Sequence, residues 1–399
     1  MDASCLLGPR SGIGNYAANS VAELMRLLPE TEFRLFLGYG WARALPAEES
    51  AKASAVSAAR RLPVVRKVWR MLRGRRFVWS LHSNAPDVVY APNYLAPAPC
   101  DPVVPVVYDL SHVRMPEAHP PDRVAWLRNL DAALARAAAV VTISRFSKRE
   151  IVDVYGVSPD KLVVAPPGVG SNFRPVAGEA RRPVLQRHGL DERRYFLAVG
   201  NLEPRKNLTT LIEAYARLPG AVRDRYPLVV GGGAGWGEAG VTGGSAARLR
   251  RAGQLRLSGY LPSADLPALY AGAAAFCFPS LYEGFGIPVI EALACGAAVL
   301  ASNATAIPEA AGEAGLLLDP RDLDAWTRGL QRIIEDEALA ETLRARGPQQ
   351  VARFTWTGCA GEILRAFARC AGRAPGGRTG AGATEIPTDR PAAVARAGG

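Results

Sequence analysis

The segment FPSLYEGFGIPVIEALA carries two glutamates, Glu283 and Glu291, directly after an apolar run that predicts a β-strand. Glu283 lies in a glycine-containing loop, and Pro288 marks the first turn of a helix, where proline is tolerated. Free N–H groups at such a helix start attract a phosphate. Two carboxylates beside a diphosphate would repel it, so we expect them to accept hydrogen bonds from the hydroxyls of a sugar and a ribose. The alternative is that both are surface carboxylates.

A pair of basic residues follows another predicted strand. Arg205 and Lys206 lie in VGNLEPRKNL, between the apolar run Tyr195–Val199 and the next helical segment. At the carboxyl end of a strand, the arginine fork and the lysine ammonium are suited to bind phosphate oxygens. The alternative is a solvated basic turn in which Asn207 caps the following helix.

Two shorter motifs also lie where a strand meets a helix. SGIGNYA precedes the first long helical segment, and its Gly12 and Gly14 would let the backbone approach a phosphate, although a plain tight turn explains them equally well. Tyr108 and Asp109 follow an apolar run, so we expect their side chains to face a cleft. His112 is close by in the sequence, and a lone histidine is more often structural than catalytic.

The elements that position these motifs alternate between short apolar runs and helical stretches, which is typical of parallel α/β sheets. Residues 122–138 are predicted as one helix, and residues 166–183 are rich in helix and strand breakers. The sequence therefore predicts two doubly wound domains, residues 1–170 and 171–372, and a disordered tail at 373–399. Ligands of such sheets bind at the carboxyl ends of the strands, so the expected site is a cleft between the domains.

Composition and sequence pattern argue against a membrane-spanning, a secreted or a metal-binding protein. The chain has 399 residues, of which 49% are hydrophobic and 21% charged, as is ordinary for globular proteins. No apolar run reaches the roughly 18 residues of a membrane span, and no signal peptide is visible, so we expect a cytoplasmic protein. The six cysteines form no CxxC pair and the chain has only four histidines, so we expect no metal centre.

Much of the formal net charge of +11 is concentrated in one basic block. Residues 52–76 contain nine lysines and arginines and no acid, and an apolar stripe recurs at helical spacing between them. This pattern is typical of helices that lie on an anionic membrane. The alternative is a helix that packs on the first sheet with its charges solvated. Regularly spaced aromatics for base stacking are lacking, so nucleic acid is not an expected partner.

The first residues of the chain are too few for a full strand before the SGIGNYA loop, although a doubly wound domain normally opens with one. A missing central strand would expose unpaired backbone groups and apolar surface. We therefore expect the natural protein to begin upstream of Met1, and added upstream residues to improve its solubility.

Taken together, these segments resemble the retaining, nucleotide-sugar-dependent glycosyltransferases of family 4, which have the GT-B fold. The resemblance runs from Ser11 to about Arg373. The Glu-x7-Glu element is its strongest mark, and SGIGNYA and VGNLEPRKNLTTLIEAY precede it in the expected order. VYDLSHVRMPEAHP and TISRFSKREIVDVYGVSPDKLVVAPPGV resemble the mannosyltransferases of bacterial O-antigen and capsule assembly. The resemblance implies an α/β protein whose N-terminal Rossmann-like domain binds the acceptor and faces a C-terminal nucleotide-sugar domain across a cleft.

The resemblance also implies how the nucleotide sugar is held. Glu283 would contact the hydroxyls of the transferred sugar, and Glu291 those of the ribose. Gly12 would approach the diphosphate from the N-terminal domain. The backbone N–H groups of Phe285, Gly286 and Ile287 would help Glu283 to bind the transferred sugar.

The catalytic residues implied by the resemblance lie on both domains. Arg205 and Lys206 would bind the diphosphate, and Asn201 stands at a donor-binding position where the family often has arginine. Tyr108 stands where many relatives have a histidine that contacts the donor sugar and the acceptor, and Asp109 follows it.

Chemically, the resemblance implies that cationic side chains replace Mg²⁺, so no metal or other cofactor is expected. The leaving phosphate would accept the proton of the acceptor in a front-face attack that retains configuration. The predicted reaction moves a hexose, with mannose favoured, to a glycan or a lipid-linked saccharide at an anionic membrane surface. The alternatives are an inactive sugar-nucleotide-binding protein and a GT-B-type epimerase.

Overall fold

The computed structural model describes most of the chain. The described residues are 1–7, 12–38, 40–46, 63–83, 86–233 and 239–370, of which 63–70, 82–83 and 239–240 are described by their backbone alone. The predicted tail at 373–399 and the part of the basic block before Pro63 lie outside the described residues.

Short runs of buried valine build the N-terminal sheet, in which β3, β4, β5 and β6 lie side by side in parallel. An antiparallel pair, β1 and β2, accompanies them. Asp2 lies between β1 and β3, because its N–H donates to the carbonyl of Tyr90 and it pairs with Phe36. The strands are β1 (Leu35–Phe36), β2 (Trp41–Ala42), β3 (Val89–Ala91), β4 (Val103–Val107), β5 (Val140–Thr142) and β6 (Leu162–Val164).

The helices around this sheet differ from the prediction at one place. The stretch 122–138, predicted as one helix, forms two helices. The break lies at Asn129, and asparagine competes with the helix backbone for hydrogen bonds and so disfavours helix interiors. The helices are α1 (Gly12–Leu27), α2 (Pro63–Ser83), α3 (Ser111–Arg114), α4 (Pro121–Trp126), α5 (Leu130–Arg136) and α6 (Arg145–Tyr155).

The C-terminal sheet is wholly parallel, with the strand order β12-β11-β10-β7-β8-β9. The chain runs outward from β7 on one side and outward from β10 on the other. The loops after β7 and β10 therefore leave the sheet at a topological switch point, where such folds bind ligands. The strands are β7 (Phe196–Val199), β8 (Leu228–Gly231), β9 (Leu255–Gly259), β10 (Ala275–Phe278), β11 (Val299–Ser302) and β12 (Gly315–Leu318).

The helices of the second half cover both faces of this sheet, with Trp326 wholly buried in the core. The helices are α7 (Gly178–Arg187), α8 (Leu208–Ala216), α9 (Gly220–Arg225), α10 (Ala239–Thr242), α11 (Gly244–Arg251), α12 (Leu266–Gly272), α13 (Ile287–Ala294), α14 (Ile307–Ala311), α15 (Leu323–Glu335), α16 (Glu337–Val351) and α17 (Trp356–Ala368). The predicted α/β class, with two doubly wound Rossmann-like units, is confirmed.

The last described helix, α17, returns to the N-terminal unit and packs against α1. At this crossing the N–H of Val169 donates to the carbonyl of Phe354 (3.0 Å). Gly168 lies against the backbone of Trp356 so closely that a Cβ atom there would come within 2.2 Å of it. The two units are thus tied by a second chain crossing.

Within the described ranges, no helix has the length and apolarity that a membrane span requires.

Candidate functional site

The loops that follow β7 and β10 meet through three charged side chains. Lys206 Nζ donates to Glu283 Oε1 (2.6 Å), and Arg205 Nη1 donates to Glu283 Oε2 (2.9 Å). The N–H of Leu281 also donates to the carbonyl of Arg205 (2.8 Å), which holds the two loops together. The structure thus brings together the basic pair and the first glutamate of the Glu-x7-Glu element, which were predicted separately.

This ion cluster is largely removed from solvent. The side chains of Glu283 and Lys206 are 10% and 13% exposed, and Arg205 also binds Glu203 (2.8 Å). Burial alone would raise the pKa of Glu283, but Arg205 and Lys206 outweigh it and lower the pKa. Burial alone would lower the pKa of Arg205, yet Glu283 and Glu203 outweigh it and raise the pKa. The carboxylate is therefore ionised and both its oxygens hold a cation.

The local sequence explains how the basic pair is presented. Asn207 follows it in the left-handed conformation (φ 56°), which asparagine tolerates. Its side-chain amide donates to the carbonyls of Pro279 (3.1 Å) and Pro320 (2.7 Å). Asn207 precedes α8, but its side chain joins neighbouring loops instead of capping that helix. The alternative of a solvated basic turn is therefore wrong.

The start of α13 lies beside the cluster, as the sequence predicts. Gly286 precedes the helix with φ 118°, a conformation open to glycine. Phe285 is buried against Phe354, and Ile287 is half-buried at the first helical position. A Cβ atom on Gly284 would come within 2.2 Å of the carbonyl oxygen of Tyr108 in the N-terminal unit. The loop of Glu283 thus closes directly on the opposite wall of the cleft.

Glu291 lies inside α13, where it meets the hydroxyl of Tyr270 at 3.5 Å. Burial raises the pKa of Glu291 to about 8, and the weak hydrogen bond from Tyr270 offsets only part of this. The carboxyl is therefore largely protonated at neutral pH in the ligand-free protein. Glu291 is half-buried, so it is not a freely solvated surface carboxylate.

The structure places the Tyr108 side chain inside the N-terminal unit. Its hydroxyl donates to the carbonyl of Pro92 (2.6 Å), and its ring packs against Tyr16 and Tyr94. Its carbonyl, by contrast, faces the cleft and accepts a hydrogen bond from Ser147 Oγ (2.9 Å). This placement does not support the prediction that the Tyr108 side chain contacts the substrate.

Asp109, in contrast, lies at the cleft and opposite the ion cluster. It accepts hydrogen bonds from the N–H (3.0 Å) and the hydroxyl (2.6 Å) of Ser111. Burial alone would raise its pKa, but the charge of Arg205 and the bonds from Ser111 outweigh it and lower the pKa. Asp109 is therefore an ionised carboxylate that shares the field of Arg205 with Glu283.

Within the described residues, three further candidates make no hydrogen bond to this cluster. His112 is buried, with Nε2 3.3 Å from the hydroxyl of Tyr155, and burial lowers its pKa to about 4. Gly12 is exposed at the first position of α1. Asn201 is exposed in the loop after β7. The donor-binding roles of Gly12 and Asn201 stay predictions.

Sequence reasoning missed a second contact between the units. The carboxylate of Glu309, in the first turn of α14, accepts hydrogen bonds from the N–H groups of Arg145 (2.9 Å) and Phe146 (2.6 Å) at the start of α6. A carboxylate at a helix start stabilises the free N–H groups there. A sequence signal was present, because Glu309 follows Pro308 at a helix start, but it gives no information on the partner helix.

We expect Glu291→Gln to stabilise the protein at alkaline pH. The pKa of Glu291 in the fold, about 8, lies above its ordinary value of 4.5. The folded state therefore binds more protons between these values, and stability falls as pH rises through that range. Thermal unfolding should show a Tm gain over wild type of at least about 2–4 °C at pH 8.5 and almost none at pH 5.

Glu117→Gln, a change at an exposed glutamate, is the matched control and should shift the Tm little at either pH. A Tm difference between Glu291→Gln and wild type that stays constant from pH 5 to pH 8.5 would contradict the assigned pKa.

Known proteins with similar sequences cover nearly the whole chain. Residues 12–172 match the model of "Glycosyltransferase Family 4", and residues 182–350 match that of "Glycosyl transferases group 1". O-antigen chain mannosyltransferase B of Escherichia coli is 35% identical over 367 residues, which are 90% of this chain and 96% of that relative. The serotype-specific mannosyltransferase WbdA of Escherichia coli is 31% identical over 71% of this chain, which spans 37% of that larger protein.

Solved structures share the architecture at low sequence identity. WaaG, a glycosyltransferase involved in lipopolysaccharide biosynthesis, superimposes with a TM-score of 0.67 at 15% identity, over 91% of this chain and 98% of WaaG. HepE of Anabaena, solved in complex with UDP and glucose, gives a TM-score of 0.61 at 21% identity, over 74% of this chain and 81% of HepE. The chain therefore belongs to the group 1 glycosyltransferases of family 4 and has their GT-B fold.

Proposed function

We propose that the protein is a retaining mannosyltransferase. It transfers mannose from a nucleotide-diphosphate sugar to a glycan or lipid-linked saccharide in surface polysaccharide synthesis. The observation that carries this proposal is the cluster of Arg205, Lys206 and Glu283 at the switch point of the C-terminal sheet. The names of the Escherichia coli relatives, both mannosyltransferases, support the choice of sugar.

The cluster is suited to the departure of a nucleoside diphosphate. Negative charge builds on the leaving phosphate as the glycosidic bond breaks, and preorganised cations stabilise that charge in the transition state. Arg205 and Lys206 supply two cations in a site that excludes most water. Once the phosphate binds these cations, Glu283 is free to accept hydrogen bonds from hydroxyls of the transferred sugar.

We infer that the configuration at the sugar is retained by front-face attack. The leaving phosphate, held by Arg205 and Lys206, accepts the proton of the attacking acceptor hydroxyl on the same face. Glu283 is suited to orient the sugar rather than to protonate a leaving group, because both cations keep it ionised. Glu291, on the next helical turn of the same loop–helix unit, is proposed to bind the ribose.

We expect Lys206→Ala to reduce turnover about 10²–10³-fold, the typical loss when one preorganised charge-stabilising group is removed. Arg205 remains bound to Glu283, so the fold should keep its Tm. Turnover is measured as mannose transfer from GDP-mannose, with Arg328→Ala at an exposed site as the control. Near wild-type turnover of Lys206→Ala would overturn the phosphate assignment.

The same assay separates the alternatives. Binding of GDP-mannose without transfer or hydrolysis by the wild-type protein would indicate an inactive sugar-nucleotide-binding protein. Release of an epimer of the donor sugar would indicate an epimerase.

We propose that no metal ion takes part, because the two cations lie where a metal would otherwise neutralise the diphosphate. Transfer activity is therefore expected to survive excess EDTA followed by gel filtration. Activity that is lost in EDTA and returns only with Mg²⁺ or Mn²⁺ would exclude this mechanism.

We further propose that helix α2 holds the protein at the inner face of an anionic membrane. Its described part presents Met71, Leu72 and Trp79 to solvent, and Trp79 is 74% exposed. Arg75 and Arg76 are exposed beside them. Large apolar side chains next to arginines are typical of interfacial helices.

One member of the predicted basic surface is used elsewhere. Arg73 binds the carboxylate of Asp2 and the hydroxyl of Ser4, so it supports the fold of the N-terminal unit. The predicted apolar stripe before Leu72 lies where side chains are not described. The membrane test therefore uses Arg75 and Arg76.

We expect Arg75→Gln/Arg76→Gln to weaken binding to anionic liposomes about 30-fold. Each cation near an anionic leaflet contributes about 1 kcal/mol, and about 2 kcal/mol corresponds to this factor. Co-sedimentation at several salt concentrations measures the effect. The control is Arg250→Gln/Arg251→Gln, which changes two exposed arginines in the last turn of α11. Equal binding of the wild type to neutral and anionic vesicles would exclude the membrane proposal.

A further inference from the structure

The segment from Tyr108 to Trp126 forms the wall of the cleft that faces the loop of Glu283. A Cβ atom on Gly284 would come within 3.1 Å of the Cβ of Asp109. Asp109 also lies close enough to Arg205 for that charge to lower its pKa. The wall therefore borders the place where the leaving phosphate and the sugar are proposed to lie.

A hydrogen-bond chain fixes Asp109 within this wall. The hydroxyl of Ser111 lies 2.6 Å from Asp109 Oδ1 and 2.9 Å from His119 Nε2. Since the carboxylate only accepts, the single hydroxyl proton of Ser111 goes to Asp109. His119 must then donate from Nε2 to the Ser111 oxygen. The chain His119–Ser111–Asp109 therefore runs in one direction and holds Oδ1 of the carboxylate.

Two hydrogen-bonding positions of this wall are left open. Within the described ranges, every hydrogen bond to Asp109 goes to Oδ1, from Ser111 and, at 3.4 Å, from the hydroxyl of Tyr94. Arg123 Nε is buried and has no hydrogen-bond partner among the described residues. The positive charge of Arg123 nevertheless acts on Asp109, on His119 and on His112. A buried donor without a partner is costly unless a ligand satisfies it.

We propose that Asp109 Oδ2 and the guanidinium of Arg123 bind neighbouring hydroxyls of the acceptor sugar, with Ser111 and His119 as positioning residues. This assignment rests on the proposed transferase function. A carboxylate accepts from one hydroxyl and a guanidinium donates to the next, which is the pairing that a neutral hexose offers.

The geometry favours the acceptor over the donor as the ligand of this wall. The proposed donor contacts lie on the C-terminal unit, at Arg205, Lys206 and Glu283, whereas Asp109 and Arg123 lie on the N-terminal unit. In a front-face attack the acceptor hydroxyl must reach the leaving phosphate. Asp109, held within the field of Arg205, lies where it can direct that hydroxyl.

The test separates acceptor binding from donor binding. GDP-mannose is the donor and methyl α-D-mannopyranoside the acceptor probe. Arg123→Gln should raise the KM for the mannoside about 10–100-fold, because a hydrogen bond to a charged group contributes about 1.5–3 kcal/mol. The Kd for GDP, measured by calorimetry, should stay within twofold. Arg128→Gln, an exposed change just beyond α4, is the control for nonspecific charge effects.

Exchange of His119 distinguishes positioning from simple support of the fold. The amide of Gln reaches the place of Nε2 and can donate to Ser111, whereas Ala cannot. His119→Ala should therefore raise the KM for the mannoside, whereas His119→Gln should keep it near the wild-type value. The two variants should have the same Tm.

Equal KM values for Arg123→Gln and wild type, or a matching rise in the Kd for GDP, would overturn the acceptor assignment. Saturation-transfer NMR of the mannoside with the wild-type protein gives an independent readout. Absence of mannoside binding counts against the assignment even if the donor is consumed. Absence of mannose transfer from every nucleotide-diphosphate mannose tested, GDP-mannose included, with intact mannoside binding would instead refute the proposed function.

Discussion

The buried pairing of Glu283 with Arg205 and Lys206 is the interaction on which the rest of the site depends. Removing a charge from water costs several kcal/mol unless a partner compensates it, so none of the three can be buried alone. The loops after β7 and β10 must therefore reach the same place. The adjacency of β7 and β10 at the switch point of the C-terminal sheet makes this possible. Asn207, which bonds to the neighbouring loops, keeps the cations in position.

The same pairing explains how a ligand can be admitted to a closed cleft. Gly284 lies directly against the carbonyl of Tyr108, and Glu309 caps the start of α6, so the two units meet at two places. In the ligand-free protein Glu283 pairs with Arg205 and Lys206, the two cations that are proposed to bind the diphosphate. In the proposed reaction the diphosphate takes over the two cations, and the carboxylate becomes available to the sugar. Under the proposed function, binding of the diphosphate and release of Glu283 are therefore one event.

The sequence predicted the parts of the site that depend on local order. Motifs at strand–helix junctions place Arg205, Lys206 and Glu283 at one edge of a parallel sheet whatever the details of packing. It did not predict the direction of side chains that depend on distant neighbours. Tyr108 points inward because Pro92, far from the motif, offers a carbonyl, and Arg73 leaves the basic surface because Asp2 lies within its reach. The break at Asn129 within 122–138 has a local cause instead, since asparagine disfavours helix interiors, and the prediction of a single helix missed it.

Calorimetric titration of GDP into the wild-type protein and Glu283→Gln tests whether a diphosphate displaces Glu283 from its two cations. GDP lacks the sugar, so the loss of the sugar contact does not enter the comparison. We expect Glu283→Gln to bind GDP at least about tenfold more tightly, a gain of about 1.4 kcal/mol, because the competing carboxylate is gone and both cations remain. Weaker binding of GDP by Glu283→Gln, with the fold intact, would contradict the exchange of Glu283 for the diphosphate.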